Sequence, residues 1–231
     1  MSNAASRAVF SDGGRNASGR RCLCLLNACL APAKSLLTTA PITTAVAAAA
    51  LFLQLQTTIQ PACELRFSQL SVSCVPGLLT CHLLHWSWNH LIWDLAVFFV
   101  AGFICEPRWN RQFLLVLATA GLVIPLTVGV GHPQLMCYRG LSGIDSALFA
   151  LAAGMVFLEE ARLRHWPTAT AAALVILGQF LKILAEHSAG HTLFVDDSGF
   201  TPIPLAHLAG ALAGTGVAAA SWIASAGNHR H

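Results

Sequence analysis

The chain has 231 residues, of which 55% are hydrophobic and only 10% are charged, and its mean hydropathy is +0.64. A water-soluble domain carries about a quarter of its residues as charges, so this composition excludes one and indicates a chain that crosses a membrane several times. The formal net charge of +3 is too small to indicate a nucleic-acid partner.

Residues 1–36 are rich in Ser, Ala, Gly and Arg, with Arg7, Arg15, Arg20, Arg21 and Lys34. They are expected to form a basic, mostly disordered cytoplasmic leader. Arg20-Arg21 followed by Cys22–Ala33 also resembles a short signal-peptide core, although Asn27, Pro32 and Lys34 suit it poorly. Apolar runs of membrane length follow at about 37–55, 78–104, 112–130, 142–158, 168–186 and 203–224. Each is near the roughly 20 residues an α-helix needs to span hydrocarbon. The expected fold is therefore an all-α membrane protein, with a six-helix core over 37–224 and a short cytoplasmic tail over 225–231.

Cytoplasmic loops collect Lys and Arg. The leader, Arg108 with Arg111, Arg162 with Arg164, and Arg230 alternate with segments carrying only Arg66, only Arg139, and the acidic Asp196-Asp197. Six helices with the amino terminus in the cytoplasm put every basic cluster on one side. The eight cysteines do not form a disulfide framework. Only Cys63 and Cys74 share an outside loop, and they are the one candidate pair. Cys22-x-Cys24 lacks partnering histidines, so neither a metal site nor another cofactor is expected.

With this threading the second, fourth and sixth helices all begin in the outer leaflet. Their first turns carry His82, His85, His90 and Asp94, then Ser142 and Asp145, then His207. Ionisable groups inside spans are costly, so they face the bundle interior or a wet cavity. Ser142 stands in Gly140-Leu141-Ser142-Gly143, where the glycines allow unusual backbone conformations and close approach to the hydroxyl. Read alone, this run also fits a capping or packing serine.

A serine needs a base to become a nucleophile. His207 is the candidate, because it opens His207-x-x-Gly210-x-x-x-Gly214, whose glycines let a second helix come close. Oxyanion donors are expected from the backbone N–H groups of Leu141 and Ser142 and from the side chain of His90. His85 and His90 are five apart and would diverge by about 140° on one helix, so the two should not reach one atom. That leaves a bracing role for His85.

Gly140-Leu-Ser142-Gly143, His207-x-x-Gly210-x-x-x-Gly214 and His85-x-x-x-x-His90-x-x-x-Asp94, in this order and topology, resemble the rhomboid family of intramembrane serine proteases. The resemblance covers about residues 37–224. It implies a rhomboid-like six-helix bundle in which Ser142 is the nucleophile, His207 the general base and His90 an oxyanion donor. It also implies a serine endopeptidase acting on transmembrane or membrane-anchored protein segments near the outer face of a lipid bilayer. Three positions depart from the pattern. Asp94 replaces an Asn, Ser146 replaces an aromatic residue that would stack on His207, and the first outside loop lacks a Trp-Arg pair. Asp94 either is protonated and donates towards the oxyanion or turns aside to orient His90.

His85-Trp-Ser-Trp-Asn-His90 and the run from Arg139 are similar to the bacterial rhombosortase-like branch, which implies a bacterial inner membrane and trimming of carboxy-terminal anchors. Two rival readings remain. The first is an inactive rhomboid-like protein that binds membrane helices; such proteins usually lack the Ser or the His. The second is a haem or metal protein using His85 or His90 with His207, which leaves the Gly-x-Ser-Gly run without a role. A transporter would need paired broken helices, and none is present.

Overall fold

The structure is a computed structural model and describes residues 35, 37–67, 75–193 and 203–227. Residues Met1–Thr39 form one unit and Ala40–His231 the other. Ser35 and residues 37–39 belong to the first unit, and the helical bundle belongs to the second. Cys74, Asp196, Asp197, Arg230 and most of the leader lie outside the described residues, so the Cys63–Cys74 pairing does too.

Among the described residues six long helices make up the bundle in chain order: α1 Pro41–Leu55, α2 Trp88–Arg108, α3 Asn110–Gly131, α4 Ser142–Arg162, α5 Trp166–Ala189 and α6 Pro204–Gly227. Those from α2 to α6 are long and apolar enough to cross a membrane. With 15 residues, α1 is only about 22 Å long, short of a ~30 Å hydrocarbon core. Its start is fastened to the end of α2. The Glu106 carboxylate accepts from the Ile42 and Thr43 N–H groups (2.8 and 2.7 Å) and from Thr43 Oγ1 (2.7 Å). Those N–H groups have no acceptor within their own helix, and they explain why a buried carboxylate is tolerated there.

The second helix begins ten residues later than its apolar run suggests. Ser87 caps α2 by accepting from the His90 N–H at 3.1 Å. The preceding chain is broken into a short helix Val75–Thr80 and a 3₁₀ turn Cys81–Leu83. Upstream of these, Leu65–Arg66 (β1) pairs antiparallel with Cys137–Tyr138 (β2), Leu65 opposite Tyr138. This clip holds the segment after α1 against the loop that leads into α4.

At the centre stands α4, 56% buried over its most apolar stretch, against 22–39% for the other four long spans. Its partner is α6, and the contact is backbone to backbone. A Cβ added at Gly210 would lie 1.9 Å from the Gly143 carbonyl oxygen, and one at Gly214 would lie 2.0 Å from that of Ala147. The two ends of the bundle differ in arginine content, with Arg108, Arg111, Arg162 and Arg164 where α2 ends, α3 starts and α4 ends, and Arg66 and Arg139 at the other end. At one end Arg108 pairs with Glu159 at 2.5 Å, and Arg162 lies over the Trp222 ring at 4.1 Å. At the other end, beside the start of α4, Arg139 Nε donates to Glu64 (3.1 Å) and Arg66 pairs with the same carboxylate. Burial alone would push the Glu64 carboxyl up; Arg139 and Arg66 overcome it and hold the group below the usual carboxylate range.

Candidate active site

The loop into α4 turns at Gly140, whose φ of +134° is open to glycine and strained for other residues. A side chain there would also meet His90, with an added Cβ 3.2 Å from its Cε1. The Gly140 N–H donates to the Cys81 carbonyl at 3.1 Å. His82 lies between the carbonyl oxygens of Gly121 (Nε2, 3.1 Å) and Gly140 (Nδ1, 3.4 Å). Burial depresses its pKa, and a ring that donates from one nitrogen makes one of these bonds; the shorter, to Gly121, ties the turn before α2 to α3. These contacts set the path of the chain that presents the serine hydroxyl.

Ser142 is the first residue of α4. His207, in the first turn of α6, places Nε2 3.1 Å from Ser142 Oγ. The distance follows from the packing, because the same face of α6 brings Gly210 and Gly214 onto the α4 backbone. Gly143 completes this contact: a Cβ there would lie 3.1 Å from the Ala206 carbonyl oxygen.

Behind His207 stands a residue that the sequence motifs do not single out. Glu186, near the end of α5 and 1% exposed, places Oε2 3.2 Å from His207 Nδ1. Its other oxygen accepts from Lys182 Nζ at 2.6 Å and from the Leu193 N–H at 3.2 Å. The Lys182–Glu186 pair, four apart on one face of an otherwise apolar helix, is the signal that would have found it. Ser146, where the family pattern has an aromatic, instead turns its hydroxyl back to the Ser142 carbonyl at 3.0 Å.

Asp94 gathers the rest of the cluster. Its Oδ2 accepts from the Leu141 N–H at 3.1 Å and lies 3.1 Å from His85 Nε2 and 3.3 Å from His90 Nε2. Two expectations change here. The Leu141 N–H is spent on Asp94, which leaves the Ser142 N–H, at the open start of the helix, as the backbone donor beside the hydroxyl. His85 and His90 do reach one atom, because His85 precedes α2 and is not on the same helix; their rings meet edge to face at 5.1 Å. Oδ2 of Asp94 thus acts as an acceptor from the loop that presents Ser142.

Ser142, His207, His90 and Glu186 all open onto one cavity of about 1120 Å³. Trp93 and Phe149 contribute to its largely apolar wall. Among the described residues no group of three or more His, Cys, Asp or Glu side chains is arranged to hold a metal ion.

Comparison with known proteins adds the family. No curated protein matches the chain. A model of the rhomboid domain matches residues 74–224, which takes in everything from the turn before α2 through Ser142 to His207 and the glycine face below it. An all-α bundle of membrane-length helices agrees with that match, and the chain belongs to the rhomboid family.

Proposed function

We propose that this integral, multi-pass membrane protein is an intramembrane serine endopeptidase, with Ser142 as nucleophile and His207 as general base. The observation that carries the reading is the 3.1 Å contact between Ser142 Oγ and His207 Nε2 at the wall of an apolar cavity. In the first step Oγ bonds to the scissile carbonyl carbon, its proton passes to Nε2, and the carbonyl π pair moves onto oxygen. Collapse of that intermediate breaks the C–N bond, and the leaving amine takes the proton from Nε2. Water then repeats the sequence on the acyl-enzyme and releases the carboxylic acid.

The Ser142 N–H and the His90 side chain are the groups best placed to stabilise the oxyanion. His90 is set for this by Asp94 and by the Ser87 cap, while His85 braces Asp94 from behind. The substrate is a transmembrane or membrane-anchored protein segment, admitted to the cavity from the bilayer. The arginine distribution between the bundle ends supports an outward-facing site, since Arg108, Arg111, Arg162 and Arg164 lie at the end away from Ser142 and only Arg66 and Arg139 at the near end. A bacterial inner membrane and anchor trimming are the setting this orientation fits.

A haem role for His207 is disfavoured because both its ring nitrogens are engaged, one by Ser142 and one by Glu186. An inactive family member is disfavoured because both dyad residues are present and in contact. The test is labelling in membranes by a serine-directed fluorophosphonate. Wild type should label and Ser142→Ala should not; equal labelling of both would refute the reading.

A further inference from the structure

We infer that Glu186 is a positioning residue for His207, so that the site works as a Ser–His–Glu relay and not as a bare Ser–His dyad. The inference rests on the Ser142–His207 reading above and adds a third member to it. Three observations carry it: the alignment, the holding of the carboxylate, and the substitution at Ser146.

The alignment is the first. One His207 nitrogen meets Ser142 Oγ at 3.1 Å and the other meets Glu186 Oε2 at 3.2 Å. An ionised carboxylate only accepts, so the proton of a neutral imidazole resides on Nδ1 and the Nε2 lone pair faces the hydroxyl. That is the tautomer a general base requires. When Nε2 takes the serine proton, the ring carries protons on both nitrogens, and the adjacent carboxylate stabilises the cation without itself becoming protonated.

The second observation is how firmly Glu186 is held. A carboxylate that is 1% exposed near the end of an apolar helix is costly unless its lone pairs are used. Oε1 takes both Lys182 Nζ and the Leu193 N–H, leaving Oε2 for the imidazole. Leu193 reaches back because α5 ends at Gly190 in the left-handed region, φ +72°, whose N–H donates to the Glu186 carbonyl. A partner for Lys182 alone would leave Oε2 with no reason to face His207.

The third is Ser146. An aromatic there would hold His207 by stacking; this chain has a hydroxyl folded back onto its own helix. The orienting contact comes instead from α5. Besides Lys182, the other charged or imidazole side chains on the cavity wall are His90, Asp94, His132, Arg139 and Asp145; Glu186 is the one bonded to Nδ1.

The decisive variant is Glu186→Gln in the full chain, reconstituted in liposomes. The amide has nearly the size and shape of the carboxylate. Its oxygen stays where Lys182 and Leu193 donate, which turns the NH₂ towards Nδ1. That group donates, so it moves the ring proton to Nε2 and disables the base. A merely structural Glu186 predicts the opposite, a mild Gln variant that keeps both Oε1 bonds.

The measurement is the fluorophosphonate concentration dependence of Ser142 labelling, which separates the maximal rate from the half-saturating concentration. Gln should lower the maximal rate on the order of 10³–10⁴-fold, by analogy with the loss when a triad Asp is replaced by Asn, and leave half-saturation unchanged. Asp, which restores the carboxylate, should recover at least tenfold over Gln. A Gln variant near the wild-type maximal rate overturns the inference, as does a slowing confined to half-saturation. Should the Gln variant not accumulate as folded protein, Asp against Ala decides: Asp at least tenfold faster supports the relay, and equal rates refute it. Ser142→Ala is run alongside, since labelling that survives there refutes the nucleophile and not the role of Glu186.

Discussion

Gly210 offers a direct test of whether close helix packing sets the catalytic distance. In Gly210→Ala the new methyl would sit 1.9 Å from the Gly143 carbonyl oxygen, in a region where real Cβ contacts start at about 3.0 Å. Backbone lies on both sides, so α6 must retreat from α4 by roughly 1 Å or more to admit one methyl. His207 is three residues away on the same face. A retreat of that size stretches its 3.1 Å contact with Ser142 to about 4 Å, where a hydrogen bond no longer exists. The expected loss in turnover is about 100-fold, the usual cost of a 1 Å misplacement. Overpacking should also remove about 1–3 kcal/mol of stability. Gly216→Ala is the internal control, since its methyl meets nothing within 4 Å on the same helix. There the better helix propensity of Ala should leave stability unchanged or slightly raised. The assay is cleavage of a co-expressed membrane-anchored reporter, with thermal unfolding of the purified variants. Gly210→Ala within threefold of wild type, in a protein of unchanged stability, would refute the argument that packing sets the dyad distance.

Ser142→Ala and His207→Ala should each abolish reporter cleavage, and the double variant should be no worse, because members of one catalytic unit are not additive. Asp94→Asn should stay within about tenfold of wild-type turnover, since its carbonyl oxygen still accepts from the Leu141 N–H. Asp94→Ala leaves that buried N–H and the His85 ring without their acceptor and should cost about 1–3 kcal/mol per stranded group by thermal unfolding. If Asn proves as damaging as Ala, the negative charge itself is required. Glu106→Ala should lower stability by about 3 kcal/mol or more through loss of three bonds to the start of α1, yet leave labelling of the remaining folded protein near normal. Proteolysis that spares α1 would count against that cap.

Much of this arrangement was legible in the sequence because hydrophobic length and helix period are one-dimensional signals. The six helices fall near their apolar runs. The spacing of His207, Gly210 and Gly214 indicates a face that can approach another helix closely. What stayed hidden depends on where the backbone breaks and which distant groups meet. The run from residue 78 reads as the start of a span by hydropathy, but the Ser87 cap starts α2 at Trp88, and the chain before it folds into short turns that serve the Gly140 loop. That shift of the helix start is what lets His85 and His90 converge on Asp94. Glu186 reads as the polar end of a span because its partner lies 21 residues away, across a loop and on another helix.

The positions where the chain leaves its family's pattern are connected physically. An aromatic at residue 146 would fix the imidazole from α4 by contact area; the serine gives up that contact, and α5 supplies a charged hydrogen bond to Nδ1 in its place. The change brings a buried negative charge, and Lys182, one turn earlier, supplies the compensating cation. Likewise an Asn at 94 could donate towards an oxyanion, but Asp in this setting accepts, and it takes the Leu141 N–H together with the ring contacts of His85 and His90. In the proposed mechanism the Ser142 N–H and His90 make good the donor it withdraws, which places greater demand on how rigidly His90 is held. The Ser87 cap, the Asp94 carboxylate and the edge-on His85 ring all bear on that one imidazole, as a site relying on His90 would require.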